Sequence, residues 1–340
     1  MRNINLEVPN CPLCGQTEFK PLIQNAQDFI WKKPGTFAVA RCSGCELVMT
    51  RPRPIENDLA FFYENTYSGD DQQEMQAFQK ESPIMRMISR YRLSVMEKYA
   101  PVRSVDNVLD VGCSYGGFLL TLTEARDCRG LGIDFDELAI SRAVVHPNLA
   151  FKTGAVGDLD HKEHKFDWIV FWESLEHHTD PIGALKNAYS LLKPGGFLCI
   201  EVPNFNGIWR VIFRRYWLPL LMPQHLFHFT PDSLQRVAEK AGFEERVGQH
   251  SMFYPLEGVA SLGIWLGHIL RTPPPGSAFS WRTPFDLCVL LLLVFAYFLI
   301  ELPSQLLLTC AGRSGHQLAV FKKEASPSDS QQAQEYSPEP

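Results

Sequence analysis

The chain has 340 residues, a net charge of −6 and an ordinary globular composition, 45% hydrophobic and 21% charged. This length can bury one large core with a smaller domain beside it. Four acids and no base lie between Glu324 and Pro340, so the rest of the chain is close to neutral, which argues against a nucleic-acid partner.

Met1 to Asn10 lacks the apolar core of a signal peptide, so the expected compartment is the reducing cytoplasm. Of nine cysteines, four form two Cys-x-x-Cys pairs, Cys11/Cys14 and Cys42/Cys45. Four thiolates on two tight turns suit tetrahedral Zn²⁺. Residues 9–54 are therefore read as a zinc knuckle with a short hairpin around the second pair. With all four positions filled the metal would be structural; the competing reading is a metal-free, redox-active dithiol. Residues 55–106 read as a linker and helix. An aromatic cluster (Phe61, Phe62, Tyr63, Tyr67) precedes a polar stretch from Asp70 to Glu81, helical or loose. Met85, Ile88, Tyr91, Leu93 and Met96 then recur at helical spacing.

From Asn107 strand and helix patterns alternate, which predicts a mostly parallel sheet covered on both faces. Strands are expected near 107–111, 129–134, 149–153, 167–171, 196–202, 244–250 and 317–322. Helices are expected near 116–126, 136–144, 182–192 and 231–241. The last has Thr230 as N-cap, Pro231 at its first position and Gly242 beyond its end. The first strand runs into a Gly-rich turn, Asp110-Val-Gly-Cys-Ser-Tyr-Gly116-Gly117, and a helix start, an arrangement that offers backbone N–H groups to a ligand. The second strand ends in Asp134, placed to accept hydrogen bonds from ribose hydroxyls. A dinucleotide or S-adenosylmethionine (SAM) would each supply that ribose, and Ser114 at the third turn position weakens the dinucleotide reading.

Asp110-Val-Gly-Cys-Ser-Tyr-Gly116, Gly132-Ile-Asp134, Phe166 to His177 with Asp180-Pro181, and Leu192-Lys-Pro-Gly-Gly-Phe197 together resemble the class I SAM-dependent methyltransferases. The Cys-x-x-Cys pairs, Pro52 to Pro54, Tyr63, Tyr67 and His225-Leu-Phe-His-Phe-Thr-Pro231 look like a bacterial branch in which a zinc knuckle precedes the methyltransferase domain. Members of that branch act on sugars, glycan precursors and other small molecules. The resemblance implies an α/β, Rossmann-like methyltransferase sheet over 107–250 plus 316–323, with a small N-terminal zinc-binding domain and a hydrophobic helical insertion over 251–315. It implies that Asp110 orients the methionine end of SAM, that Gly112 and Gly116 let the backbone close on it beside Ser114, and that Asp134 holds the ribose. Many relatives have an acid where Ala155 stands here, so adenine recognition is expected to fall to the backbone near Val156 or to Asp158. Glu176 and His177 follow the fourth strand at the carboxyl edge, as site residues or as a helix-start network. His225 is the first candidate for general base or substrate contact, the alternative being a packed histidine bonded to a backbone carbonyl.

The insertion holds two apolar runs, Val259 to Leu270 and Leu287 to Ile300. Because the chain must return to a strand of the same sheet, a helical hairpin lying in one leaflet fits better than a single crossing. Trp209, Arg210, Phe213, Arg214, Arg215 and Trp217 add a basic and aromatic segment suited to headgroups. The expected function is methyl transfer from SAM to a small-molecule, sugar or lipid-linked glycan acceptor, with peripheral or monotopic contact at the inner face of the membrane. A buried lid or dimer interface is the competing account of the insertion. A non-catalytic, membrane-associated assembly protein on a SAM fold is the alternative function, and methylation of RNA or protein a third. The tail, 324–340, is expected to be disordered.

Overall fold

The computed structural model describes residues 4–64, 82–252, 256–270, 295 and 297–325. The polar stretch from Asp70 to Glu81, Tyr67, most of the Leu287 to Ile300 run and most of the tail lie outside the described residues.

The N-terminal part is built from short strands: β1 (Leu6–Glu7), β2 (Phe19–Ala26), β3 (Phe37–Cys42), β4 (Val48–Thr50) and β5 (Arg53–Pro54), followed by helix α1 (Glu56–Tyr63). β2, β3 and β4 form an antiparallel meander, and β1 pairs with β5. Helix α2 (Pro83–Met96) follows, with Ile88, Leu93 and Met96 buried as its spacing predicts.

The alternating region runs β6 (Asn107–Val111), α3 (Gly117–Arg126), β7 (Arg129–Asp134), α4 (Glu137–Ser141), β8 (Leu149–Thr153), β9 (Phe166–Trp172), α5 (Pro181–Leu191) and β10 (Leu192–Pro203). Each predicted strand is present. Two boundaries differ from expectation. The helix after β7 stops at Ser141 rather than 144, because the Val144 N–H is taken by the Tyr115 carbonyl at 3.0 Å. β10 begins at Leu192 and absorbs Lys193 to Gly196, with its register to β9 shifting between Leu192 and Phe197.

The chain continues through α6 (Ile208–Phe213), β11 (Phe227–His228), α7 (Pro231–Lys240), β12 (Glu245–Met252), α8 (Glu257–Leu270), α9 (Leu302–Cys310) and β13 (His316–Lys322). The Thr230 hydroxyl accepts the Ser233 N–H at 3.1 Å and caps α7, as the sequence predicts. The seven-stranded sheet has the order β12-β13-β10-β9-β6-β7-β8, and β10, β9, β6, β7 and β8 pair in parallel. The insertion leaves through β12 and returns through β13, neighbours in that sheet.

The described residues cluster into two compact units. One takes 4–64, 202–234 and 250–318; the other takes 82–201, 235–249 and 319–325. Residues 202–234, read from the sequence as part of the sheet domain, pack in the first unit. The reason is twofold. β11 adds to the edge of the meander by pairing with β4, and Phe205, Trp217, Leu220 and Met222 complete one apolar core with Ile23, Phe37, Val39 and Phe62. A meander this small cannot bury enough surface alone.

Candidate cofactor-binding and catalytic site

In the sheet unit, Asp110, Gly112, Ser114, Gly116 and Asp134 gather at the carboxyl ends of β6 and β7, where open α/β sheets bind ligands. Gly112 has φ +80, and a Cβ on it would lie 2.4 Å from the Ser174 Cβ. Ser174 is itself tied down, its hydroxyl donating to the Val111 carbonyl at 2.6 Å. Gly116 begins α3 with φ +81, and a Cβ there would lie 2.4 Å from the Phe151 ring. Both glycines are therefore required by the protein's own packing. Ser114, standing where the pattern favours glycine, adopts φ 48, a conformation that costs a non-glycine residue about 1 kcal/mol. Its N–H offsets this by donating to Asp134 Oδ2 at 2.8 Å, while the Asp136 N–H donates to Oδ1 at 2.9 Å. The Phe135 backbone bonds this carboxylate as well, which leaves one of its four lone-pair sites for a hydroxyl.

Asp110 is 2% exposed, and its Oδ1 has no hydrogen-bond partner among the described residues. Burial pushes its carboxyl up to about 7; the Arg92 guanidinium opposes that rise and the Asp134 carboxylate adds to it. An orphaned buried carboxylate oxygen beside a Gly-rich turn fits the ammonium at the methionine end of SAM, and Asp134 fits its ribose.

Arg92 was not visible as a site residue in the sequence. It lies on the stripe of α2 that also carries Ile88 and Met96, so a charge on an apolar stripe was its only signal. Its Nε–H donates to Glu201 at 2.7 Å, both side chains being almost fully buried, and its guanidinium sits 5.0 Å from the Trp172 ring. The register places Asp110 opposite Val170 and Glu201 opposite Trp172. Residues two apart on a strand share a face, so Asp110, Trp172 and Glu201 lie on one side of the sheet.

The other expected residues of this unit follow neighbouring parallel strands. Glu176 is fully buried and His177 half-buried on the tight turn Leu175–His177 after β9. Val156 is buried on the turn Val156–Asp158 after β8. Asp158 Oδ2 accepts the Ala155 N–H at 2.7 Å, so this exposed acid caps its own turn.

His225 belongs to the first unit. Its Nδ1 lies 2.8 Å from the Pro219 carbonyl, which makes Nδ1 the protonated nitrogen and Nε2 the basic one. The carbonyl bond is the packed arrangement considered from the sequence, and it also fixes the tautomer a base would need. The Thr50 hydroxyl donates to the His225 carbonyl at 2.7 Å and lies 3.1 Å from His228 Nε2. Burial lowers His228 to about 3, so it is a neutral packing residue of β11.

In the same unit the Cys11, Cys14, Cys42 and Cys45 sulfurs lie within 4.8 Å of one another. Cys11 to Cys45 and Cys14 to Cys42 are each 3.4 Å apart, and all four are free thiols. Four sulfurs at ~2.3 Å from one ion stand about 3.8 Å apart, so the cluster fits Zn²⁺. Its two halves repeat one backbone design. The Cys11 and Cys42 N–H groups donate to the carbonyls five residues on, Gln16 and Leu47, and their carbonyls accept from Gly15 and Glu46.

Replacing Arg92 by methionine leaves Glu201 charged and unpaired in the core, and should cost about 3–5 kcal/mol in urea denaturation. The double variant R92M/E201M should recover most of that loss.

Comparison with known proteins agrees with this geometry. A methyltransferase-domain family model matches residues 76–246. The ubiquinone biosynthesis O-methyltransferase of Idiomarina loihiensis is 28% identical over 207 residues, covering 57% of this chain and 85% of that one. Its counterpart in Nitrosospira multiformis is 29% identical over 189 residues, covering 52% and 78%. Among solved structures, Haemonchus contortus phosphoethanolamine N-methyltransferase 2 in complex with S-adenosyl-L-methionine shares the fold, with a TM-score of 0.52 at 15% identity, covering 82% of this chain and 63% of that one. The family match takes in just over half of the 340 residues, and the chain belongs to the methyltransferase-domain family as a class I SAM-dependent methyltransferase.

Proposed function

We propose that this methyltransferase acts on a hydroxyl of a small-molecule, sugar or lipid-linked acceptor, with His225 as general base and a structural zinc in the four-cysteine knuckle. The observation that carries the cofactor assignment is the carboxyl edge of β6 and β7, where Asp110 keeps an unpartnered buried oxygen and Asp134 is held by backbone N–H groups at the end of β7. The names of the two bacterial relatives, both O-methyltransferases, support an oxygen acceptor.

SAM supplies a methyl group already activated on a sulfonium carbon. The protein therefore has to align the reactants and remove the acceptor proton. In this reading Asp110 binds the methionine ammonium and Asp134 accepts from the ribose hydroxyls. Val156 contributes an apolar wall for the adenine, and Glu176 and His177 line the carboxyl edge. The acceptor proton passes to Nε2 of His225, whose Nδ1–H is held by Pro219. Cys11, Cys14, Cys42 and Cys45 would hold the knuckle metal and, by filling all four positions, would give it a structural and not a catalytic part. Its role would be to hold the two Cys-x-x-Cys turns of the meander together.

A carboxyl that titrates near 7 must lose its proton to hold a cation, so SAM affinity should rise with pH. Calorimetry between pH 6 and 7.5 should show a gain of up to about tenfold, and Asp110→Asn should weaken binding and flatten that dependence. Radiolabelled SAM offered separately with membrane lipids, soluble metabolites and RNA should label the lipid or metabolite fraction; label in RNA would sink the acceptor assignment. With the labelled acceptor, His225→Ala should keep SAM affinity and lower turnover by roughly 10²–10⁴. Elemental analysis should find one zinc per chain, and Cys11→Ser with Cys45→Ser should abolish it and lower the melting temperature.

A further inference from the structure

The first unit carries a surface whose charge runs opposite to that of the whole chain. Helix α8 packs on the segment after β10: the Leu218 N–H donates to the Ser261 hydroxyl at 3.0 Å, the Trp217 indole N–H donates to Glu257, and the Tyr216 and His268 rings stand 5.3 Å apart. These contacts join the basic and aromatic segment to the apolar insertion, two stretches far apart in sequence. Across 205–220, 256–270 and 297–315 the only acids are Glu257 and Glu301, both buried, at 1% and 2% exposure. Glu301 is engaged inside the unit, accepting the Gly258 and Val259 N–H groups at the start of α8. The same stretches hold Arg210, Arg214, Arg215 and Arg313. Arg210 is turned inward to the Phe205 carbonyl, whereas Arg214 and Arg215 are exposed. Next to them Val211 and Ile212 are about half exposed, at 48% and 56%, and Trp265 on α8 is 40% exposed.

Exposed apolar side chains beside exposed arginines, with both acids of these described stretches withdrawn into the core, are the features of an interfacial membrane contact. An uncharged protein surface would match Val211 and Ile212 but leave Arg214 and Arg215 without counter-charges, and a free phosphate would not call for Val211 and Ile212. We infer that the α6 and Arg214–Tyr216 segment, with α8 beneath it, docks on an anionic lipid surface. Arg214 and Arg215 pair with lipid phosphates, and Val211 and Ile212 enter the headgroup layer. This inference deepens the proposed function, resting on its lipid-linked branch, and names the surface from which such an acceptor is reached.

The test uses the full chain and flotation with two vesicle types, pure phosphatidylcholine and phosphatidylcholine with phosphatidylglycerol. The expected result is binding to the anionic vesicles, weakened by high salt, with little on the neutral ones. Arg214→Glu with Arg215→Glu should weaken that binding roughly thirtyfold or more, and Val211→Asp should weaken it further. SAM affinity in solution, measured on the same variants, should be unchanged and serves as the control for folding. Equal binding to both vesicle types, or variants that bind like the parent, overturns the docking surface. So does a salt-resistant dimer, lost in the variants, with no vesicle binding. If vesicles are bound but no lipid or metabolite accepts a methyl group, the acceptor assignment fails and the docking surface stands.

Discussion

The bond from the Ser114 N–H to the Asp134 carboxylate is the contact on which the cofactor edge depends. It ties the turn after β6 to the end of β7, so the two strands that carry Asp110 and Asp134 are held together at their carboxyl ends. The bond also tolerates a serine where glycine is the easier residue, since the left-handed conformation at Ser114 is what aims its N–H at Asp134. Asp110 stands at the opposite extreme, a carboxylate with a buried oxygen that the protein leaves unpaired. Leaving such a group unsatisfied costs about 1–3 kcal/mol, a cost that a bound cation removes. The Arg92 guanidinium opposes the rise of the Asp110 carboxyl while donating its Nε–H to Glu201 on the same face of the sheet.

The first unit shows how a small four-cysteine meander is enlarged by chain from elsewhere in the sequence. The β2–β4 meander brings Ile23, Ala26, Phe37, Val39 and Val48 to a core, and the chain returns after β10 to supply a fourth strand and to complete that core with Phe205, Trp217, Leu220 and Met222. Thr50 links the two parts through one hydroxyl, donating to the His225 carbonyl while bonding the His228 ring. The backbone around His225 is therefore set by a residue that lies far from it in sequence, on β4.

The insertion is organised by polar groups although it reads as apolar. Glu257 accepts from the Trp217 indole, and Glu301 accepts two backbone N–H groups at the start of α8. Glu257 thus fastens the insertion to the segment after β10, and Glu301 ties the two described parts of the insertion to each other. Among the described residues no helix is long and apolar enough to cross a membrane.

The order of strands and helices, the parallel sheet, the Gly-rich turn with its two acids and the paired cysteines were all legible in the sequence. Each is a local pattern: a period, a cap, or a spacing imposed by backbone geometry. Tertiary structure alone decided three things, because each depends on side chains that meet across long sequence separations. It set residues 202–234 with the knuckle, since only the folded chain reveals which aromatic residues share a core. It brought Arg92 to Glu201 and Trp172, 109 residues apart in the first case, from a helix whose pattern suggested only packing. It also buried Glu257 and Glu301 while leaving Arg214 and Arg215 exposed, a sorting of charge by burial that composition cannot express.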